Sequence, residues 1–390
     1  MDARRRRARS KDGGRGEGEV AEPIPLVDLS IQQGEVADEV AAGWARVVDD
    51  NAFILGEDVA EFEREYAAAI GVAHCVGVGN GTDGLELSLR ALGIGPGDEV
   101  IVPVNSFVAS ALAVRRAGAV PVFVDADPEY LLIDPDEVKR KLGPGVRAVM
   151  PVDLFGQVAP MAELGSLASG AGLDVVEDAA QSHLAAQNKR RAGSFGAVAA
   201  TSFYPGKNLG AYGDGGAVLT DDDALAVRVR VLRNYGSDDQ YDHPETGFNS
   251  RLDTVHAVVL RAKLRRLERW NEQRRIAARR YEALLADLEE VRLPTTRPGN
   301  LHVWHLYVVR VPRRDAALRA LREQGIHAGI HYPVPIHLHG AFADLGYGRG
   351  DFPVAEAAAM EILSLPIYPG IESAQQERIA EALGQALARR

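Results

Sequence analysis

Two side chains in this sequence stand where covalent chemistry could occur, Lys207 and Asp178. Lysine is scarce, and the other five, Lys11, Lys139, Lys141, Lys189 and Lys263, lie among charged neighbours. Lys207 instead follows an apolar, strand-like run over 197–204 and precedes a loop holding Gly210, Gly213, Gly215 and Gly216. Glycines let backbone approach another group closely. An amine held in such a setting sheds part of its charge and can attack a carbonyl. A lysine on a surface turn is the plainer reading of the same residues. Asp178 ends the run Leu173-Asp-Val-Val-Glu-Asp178, with Gln181 and His183 just beyond. In an open α/β sheet, ligands gather outside the carboxyl ends of strands. An aspartate there could hold a pyridine nitrogen protonated, as pyridoxal phosphate (PLP) requires. It could also be an ordinary helix cap.

The elements that must carry these groups alternate regularly. Strands are expected over 75–78, 99–103, 120–124, 146–155, 173–178, 197–204 and 217–220, with helices near 34–50, 57–70, 84–92, 106–117, 161–170 and 222–232. Val59, Phe62, Tyr66 and Ile70 share one face of the second helix. Short, nearly continuous apolar strands between helices indicate a parallel-rich sheet covered on both faces. Asn80-Gly-Thr-Asp-Gly84 opens a helix after a strand, and such a start is a phosphate site or a simple turn. Asp83 with Glu86 has the spacing of a capping box. Residues 252–288 read as one long helix around Trp270 that joins a large domain, 24–252, to a smaller C-terminal α/β domain within 253–390. That smaller part is expected to hold strands at 303–311 and 328–332 and helices at 315–324, 353–362 and 374–387.

Bulk properties narrow the class. The chain has 390 residues, more than one core usually supports. Its net charge is −11; residues 1–16 carry seven basic and two acidic residues, a net of +5, which leaves −16 for the rest. An acidic body argues against nucleic-acid binding. Residues 1–23 read as a disordered Arg-rich tail, since they lack the apolar segment of a secretory signal. No run is long enough for a membrane span. Cys75 is the only cysteine, which fits a reducing, cytoplasmic location. His302-Val-Trp-His305 and His337-Leu-His339 lack carboxylate or thiolate partners at ligand spacing, so no metal is expected. Gly77-x-Gly79-x-Gly81 lacks the spacing and the following acid of a dinucleotide site.

Several ordered blocks together resemble one family. Val176-Glu-Asp-Ala-Ala-Gln-Ser-His183, Ser202-Phe-Tyr-Pro-Gly-Lys-Asn-Leu-Gly210 and Gly213-Asp-Gly-Gly-Ala-Val218 look like the PLP-dependent nucleotide-sugar aminotransferases of the DegT–StrS family. The likeness continues through Gly79–Asp83, Gly95–Pro103, Asn234–Ser237, Asn249–Asp253, His331–Pro335 and Leu363–Ile367. It implies the α/β architecture of a fold-type I PLP enzyme, with a mostly parallel sheet sandwiched by helices and a smaller second domain. It implies that Lys207 binds the cofactor and moves protons, that Asp178 pairs with its ring nitrogen, and that Phe107 stacks on the ring. By the same resemblance Gln181 meets the phenolic oxygen, and Gly81, Thr82 and Ser202 hold the phosphate. Asn249 would reach the phosphate of a second subunit, so a homodimer with shared active sites is implied. His183, Tyr212, His331 and Tyr332 are candidate substrate contacts. The sequence departs from the family at His183-Leu-Ala-Ala186 and at Tyr212, which points to an altered sugar pocket. The implied reaction moves an amino group from an amino acid, glutamate by expectation, to a nucleotide-linked keto-6-deoxysugar. The motifs look most like the enzymes acting at C3 of dTDP-sugars, with C4 or inosose amination as alternatives. Lys207 argues against the related dehydratases, which carry histidine there. A PLP-binding regulatory protein without turnover is the alternative from another class.

Overall fold

The computed structural model describes residues 22–237 and 241–388. Most of the Arg-rich segment, residues 1–21, therefore lies outside the described residues. In chain order the first half holds α1 (Ser30–Asp49), α2 (Glu57–Ile70), β1 (His74–Val78), α3 (Gly81–Ala91), β2 (Glu99–Pro103), α4 (Ala109–Ala117), β3 (Val120–Val124), α5 (Pro135–Arg140), β4 (Val146–Val149), α6 (Met161–Ala171) and β5 (Asp174–Asp178). Then come β6 (Ala186–Gln187), β7 (Arg190–Arg191), β8 (Val198–Ser202), β9 (Gly216–Thr220), α7 (Asp223–Arg233) and α8 (Thr254–Leu285). The C-terminal part contributes β10 (Asn300–Leu301), β11 (Tyr307–Arg310), α9 (Arg314–Glu323), α10 (Pro353–Glu361), β12 (Ile362–Leu365) and α11 (Ser373–Ala388).

Seven strands form one sheet in the order β1-β9-β8-β5-β4-β2-β3. Only β9 runs antiparallel to its neighbours; the other pairings are parallel. This is the mostly parallel α/β sheet expected of the fold-type I class. The strand interiors are buried on both faces, as Val76, Val102, Val149 and Val176 illustrate with no exposure. That is why the strands read as unbroken apolar runs rather than alternating ones. Parallel strands joined by crossovers bring their carboxyl ends to one edge, and four of those ends, of β1, β2, β5 and β8, lead into the residues discussed below.

A second core lies around β11, β12, α9, α11 and the end of α8, with Tyr281, Tyr307, Leu321, Leu363 and Leu383 inside it. Two segments cross the boundary drawn from sequence. Ile24 packs in this second core and bridges Ile326. Ile336, Phe342 and Phe352 pack instead on the sheet core. We propose the division at residue 253 for the bulk of the two cores, with these segments exchanged across it.

Several expected elements differ. The strand expected over 146–155 ends at Val149. Beyond it Val152 still makes one parallel bridge to Asp178, and the chain then turns at 154–156, where Phe155 takes a left-handed φ of 61° and its N–H bonds the Gln181 side chain. The strand expected at 328–332 shrinks to one bridge, Gly329 to Ser364. The helix expected to run to Ile362 stops at Glu361, where β12 begins. The capping box at Asp83 and Glu86 is not the cap: Asn80 occupies the N-cap, its side-chain oxygen accepting from the Asp83 N–H at 2.8 Å. Asp83 and Glu86 turn instead toward Arg116.

Candidate active site

The edge formed by the strands' carboxyl ends borders a cleft of about 500 Å³. Asp178 is the last residue of β5 and 5% exposed. One carboxylate oxygen, Oδ2, accepts from the Ser110 hydroxyl at 2.7 Å, and Oδ1 accepts from the Ala180 N–H at 3.2 Å. No helix follows it, so the capping alternative falls away. Burial pushes the Asp178 carboxyl up, and the hydrogen bonds from Ser110 and Ala180 oppose that shift, as does Lys207. Ser110 has spent its hydrogen on Asp178, so Ser106, 2.8 Å away, must donate to Ser110. The two serines lie four residues apart and were passed over in the sequence; their spacing on an expected helix was the available signal.

Lys207 lies in the turn after β8, its N–H bonded to the Tyr204 carbonyl, and lines the same cleft. Burial lowers its amine from 10.5 to about 8, with Asp178 pulling the other way. About a tenth of the amine is therefore neutral and nucleophilic at pH 7, far more than for an ordinary lysine.

The third component is the start of α3. Gly81 and Thr82 follow the Asn80 cap and line the cleft, where unpaired N–H groups and the positive end of the helix dipole favour an anion. Gly81 has a steric reason: a Cβ there would fall 2.7 Å from Ser202 Cβ. Ser202, at the end of β8, lines the cleft from the other side. A buried carboxylate with room for one more donor, a softened amine and an N–H cradle are the parts PLP needs for its ring nitrogen, aldehyde and phosphate. The residues present fit the cofactor.

The remaining expected residues divide. Gln181 lines the cleft; its Oε1 accepts from the Phe155 N–H at 2.7 Å, and its Nε2 donates to the Tyr332 hydroxyl at 3.3 Å. Phe107 is no core aromatic, being 49% exposed, and its ring lies 5.2 Å from that of Tyr332 at the cleft. His331 lines the cleft, with Nδ1 2.8 Å from Ser364 Oγ, and burial lowers its imidazole to about 4. Asn249 is exposed and does not border this chain's own cleft.

Two expected substrate contacts are displaced from the cleft. His183 is 1% exposed, its Nε2 3.1 Å from Thr201 Oγ1, and burial lowers the imidazole to about 3. It packs 6.0 Å from the Phe203 ring, so it is an interior histidine behind β8. Tyr212 borders a separate groove beside α1, edge-on to Trp44, with the Lys263 ammonium 4.6 Å from its ring centroid. Its size fills that site rather than the sugar pocket. Conversely, Tyr204, Asp214 and His305 line the cleft without having been singled out as contacts. Leu26 and Val27 reach it from the N-terminal segment.

Comparison with known proteins decides the family. A profile described as the DegT/DnrJ/EryC1/StrS aminotransferase family matches residues 35–384. The chain belongs to this family. It is therefore a PLP-dependent aminotransferase. This DegT/DnrJ/EryC1/StrS aminotransferase is 47% identical to a dTDP-3-amino-3,4,6-trideoxy-alpha-D-glucose transaminase of Streptomyces venezuelae, over 92% of this chain and 95% of the relative. It is also 43% identical to a pleiotropic regulatory protein of Geobacillus stearothermophilus, over 93% of this chain and 98% of that one. The crystal structure of S. venezuelae DesV in complex with a ketimine intermediate superposes with a TM-score of 0.92 at 46% identity, covering 95% of this chain and 100% of that one.

Proposed function

We propose that this aminotransferase transfers the amino group of an amino acid, L-glutamate, to C3 of a dTDP-linked 3-keto-6-deoxysugar. The amino sugar would serve deoxyaminosugar biosynthesis. The observation that carries the reading is the meeting of Lys207 and Asp178 in one cleft, in a chain 47% identical to a transaminase named for a 3-amino dTDP-sugar. When bound, PLP supplies an electron sink for the charge that develops at the carbon losing its proton. Lys207 Nζ would hold the cofactor and, when free of it, would carry that proton as base and then as acid. Asp178 would keep the ring nitrogen protonated, and Phe107 would pack on the ring. Gly81, Thr82 and Ser202 would hold the phosphate, and Gln181 would meet the phenolic oxygen.

The protein works as a homodimer in the cytoplasm on this reading. Phe107 and the 59% exposed Tyr204 border the cleft, which suits closure by a partner. Asn249, exposed and outside its own cleft, is then free to reach the partner's phosphate site. Among the described residues no helix is long and apolar enough to cross a membrane. His331 and Tyr332 face the sugar. A second reading, PLP binding for regulation without turnover, draws on the similarity to the pleiotropic regulatory protein.

The test uses purified holoenzyme. Glutamate should bleach the visible absorbance, and a panel of dTDP- and UDP-ketosugars should then restore it, with the ketone-to-amine mass change seen for the dTDP-3-keto substrate. Bound PLP whose absorbance no amino acid changes refutes both halves of the reaction and favours regulation. Bleaching without sugar turnover across the panel refutes the ketosugar assignment.

A further inference from the structure

His305 drew attention in the sequence only as half of a histidine pair. In the structure it is 9% exposed, it borders the cleft, and its Nδ1 lies 3.2 Å from Asn208 Oδ1. Asn208 is the residue after Lys207, and the network around it fixes where the imidazole hydrogen sits. Asn271 has one amide end against the His183 carbonyl at 2.9 Å, and a carbonyl only accepts, so that end is Nδ2. Its Oδ1 therefore faces Asn208. Asn208 places one amide end 2.9 Å from that oxygen and 3.0 Å from the Val303 carbonyl. This end must be Nδ2 as well. Asn208 is left with Oδ1 toward His305, so His305 Nδ1 is the donor. The ring is the Nδ1–H tautomer, and Nε2 keeps a lone pair with no partner among the described residues.

The ring's surroundings hold it neutral. Burial pushes the His305 imidazole well below its ordinary value, and the charged or titratable groups around it oppose protonation too: Lys207 after β8, Arg274 from α8, His183 and His331. Arg274 also donates to the carbonyls of Trp304, His305 and Ile367, which fixes the backbone that carries the ring.

We propose that His305 is a neutral hydrogen-bond acceptor in the cleft, its Nε2 receiving a hydroxyl hydrogen of the sugar, and that Asn208 is the positioning residue that sets its tautomer. The inference rests on the sugar-aminotransferase reading above, because it needs a hydroxyl-bearing second substrate. Of the molecules that reaction brings in, the sugar carries the free hydroxyls. The amino acid offers only its amine, which is the reacting group.

The test has two parts. The first is nitrogen-15 NMR of holoenzyme labelled at histidine, with the His305 signals identified by their loss in His305→Gln. A neutral Nδ1–H pattern that does not titrate between about pH 6 and 9 is expected for an imidazole this far below its usual value. The opposite tautomer, or an imidazolium in that range, overturns the proposal. In Asn208→Ala a mixture of tautomers is expected, and an unchanged pure Nδ1–H ring removes Asn208 from its role. The second part follows the two half-reactions of His305→Phe by absorbance. The sugar step should lose about three- to tenfold or more in kcat/KM, the worth of one hydrogen bond. The glutamate step should lose clearly less, so that the ratio of the two losses reads the sugar contact. Equal loss in both steps, as a hydrogen bond to Lys207 would give, overturns the assignment, and so does no loss in either. Should His305→Phe fail to fold, the same comparison is made with His305→Gln. A wild-type protein inert to glutamate refutes the functional reading itself, and the tautomer result distinguishes that failure from this one.

Discussion

Ser110→Ala should move the pH dependence of cofactor binding upward, because Ser110 holds Asp178 in its ionised form. The hydroxyl lies 2.7 Å from Asp178 Oδ2, and both residues are buried. A hydrogen bond to a charged group contributes about 1.5–3 kcal/mol. Each pKa unit corresponds to about 1.4 kcal/mol, so deleting the donor should raise the Asp178 carboxyl by roughly one to two units. Burial has already raised that carboxyl, and the variant adds to the same direction. Only the carboxylate can hold the cofactor's ring nitrogen protonated. The affinity of cofactor-free protein for PLP, titrated by absorbance from acid to neutral pH, should therefore fall off at a higher pH in the variant. Ser110→Thr keeps a hydroxyl and should return the curve to its original place. Stability follows the same sign. The folded carboxyl lies above its unfolded value, so its contribution is lost as pH rises through the folded value, and Ser110→Ala deepens that loss. An acid limb that stays in place, with affinity lowered equally at every pH, would show that Ser110 only fills space.

Lys207→Ala should abolish transamination and remove the pyridoxyl adduct otherwise recovered on that peptide after borohydride reduction; measurable turnover would sink the assignment. Gly81→Ala places a methyl 2.7 Å from Ser202 Cβ at the phosphate cradle. It should weaken PLP binding more than tenfold, as roughly 1.4 kcal/mol of lost contact suffices, and it should lower the melting temperature of the cofactor-free protein as well, because Ser202 Cβ and backbone cannot give way cheaply; unchanged PLP affinity would contradict the cradle. Asp153 and Glu177 are buried carboxyls that share a hydrogen bond, and burial first, then Glu177, raises Asp153 well above the usual range. Glu177 accepts from the N–H groups of Gly193 and Phe195, and Asp153 from the Ala159 N–H and the Ser182 hydroxyl; burial raises both carboxyls, Asp153 the further, so the pair shares a proton. A carboxyl with a raised folded pKa stabilises at low pH and loses that contribution as pH rises. Asp153→Asn should flatten the decline of melting temperature toward alkaline pH, and an identical decline would contradict the shared proton.

Local sequence was enough to mark the residues that meet in the candidate site, because each part of it is set by short-range pattern. The strand ending at Asp178, the turn carrying Lys207 and the helix start at Gly81 are each contiguous, and sheet topology brings strand carboxyl ends to one edge whatever lies between them. The apolar runs gave the parallel sheet for the same reason, since burial on both faces leaves no alternation. What the sequence left open depended on residues distant along the chain. Where the stretch 150–155 leaves its strand turned on Gln181, whose side chain takes the Phe155 N–H after the last bridge to Asp178. Whether His183 and Tyr212 meet substrate turned on Thr201, Phe203, Trp44 and Lys263, which hold them elsewhere. His305 lies 97 residues beyond Asn208, yet a hydrogen bond ties the two, and the ring's tautomer is decided by two carbonyls that no spacing rule connects. The sequence determined which chemistry the chain carries, since covalent and electrostatic roles belong to residue types at strand ends. Only the tertiary structure decided which polar groups face the cleft and in what protonation state, because desolvation and hydrogen-bond direction come from the packing of the whole chain.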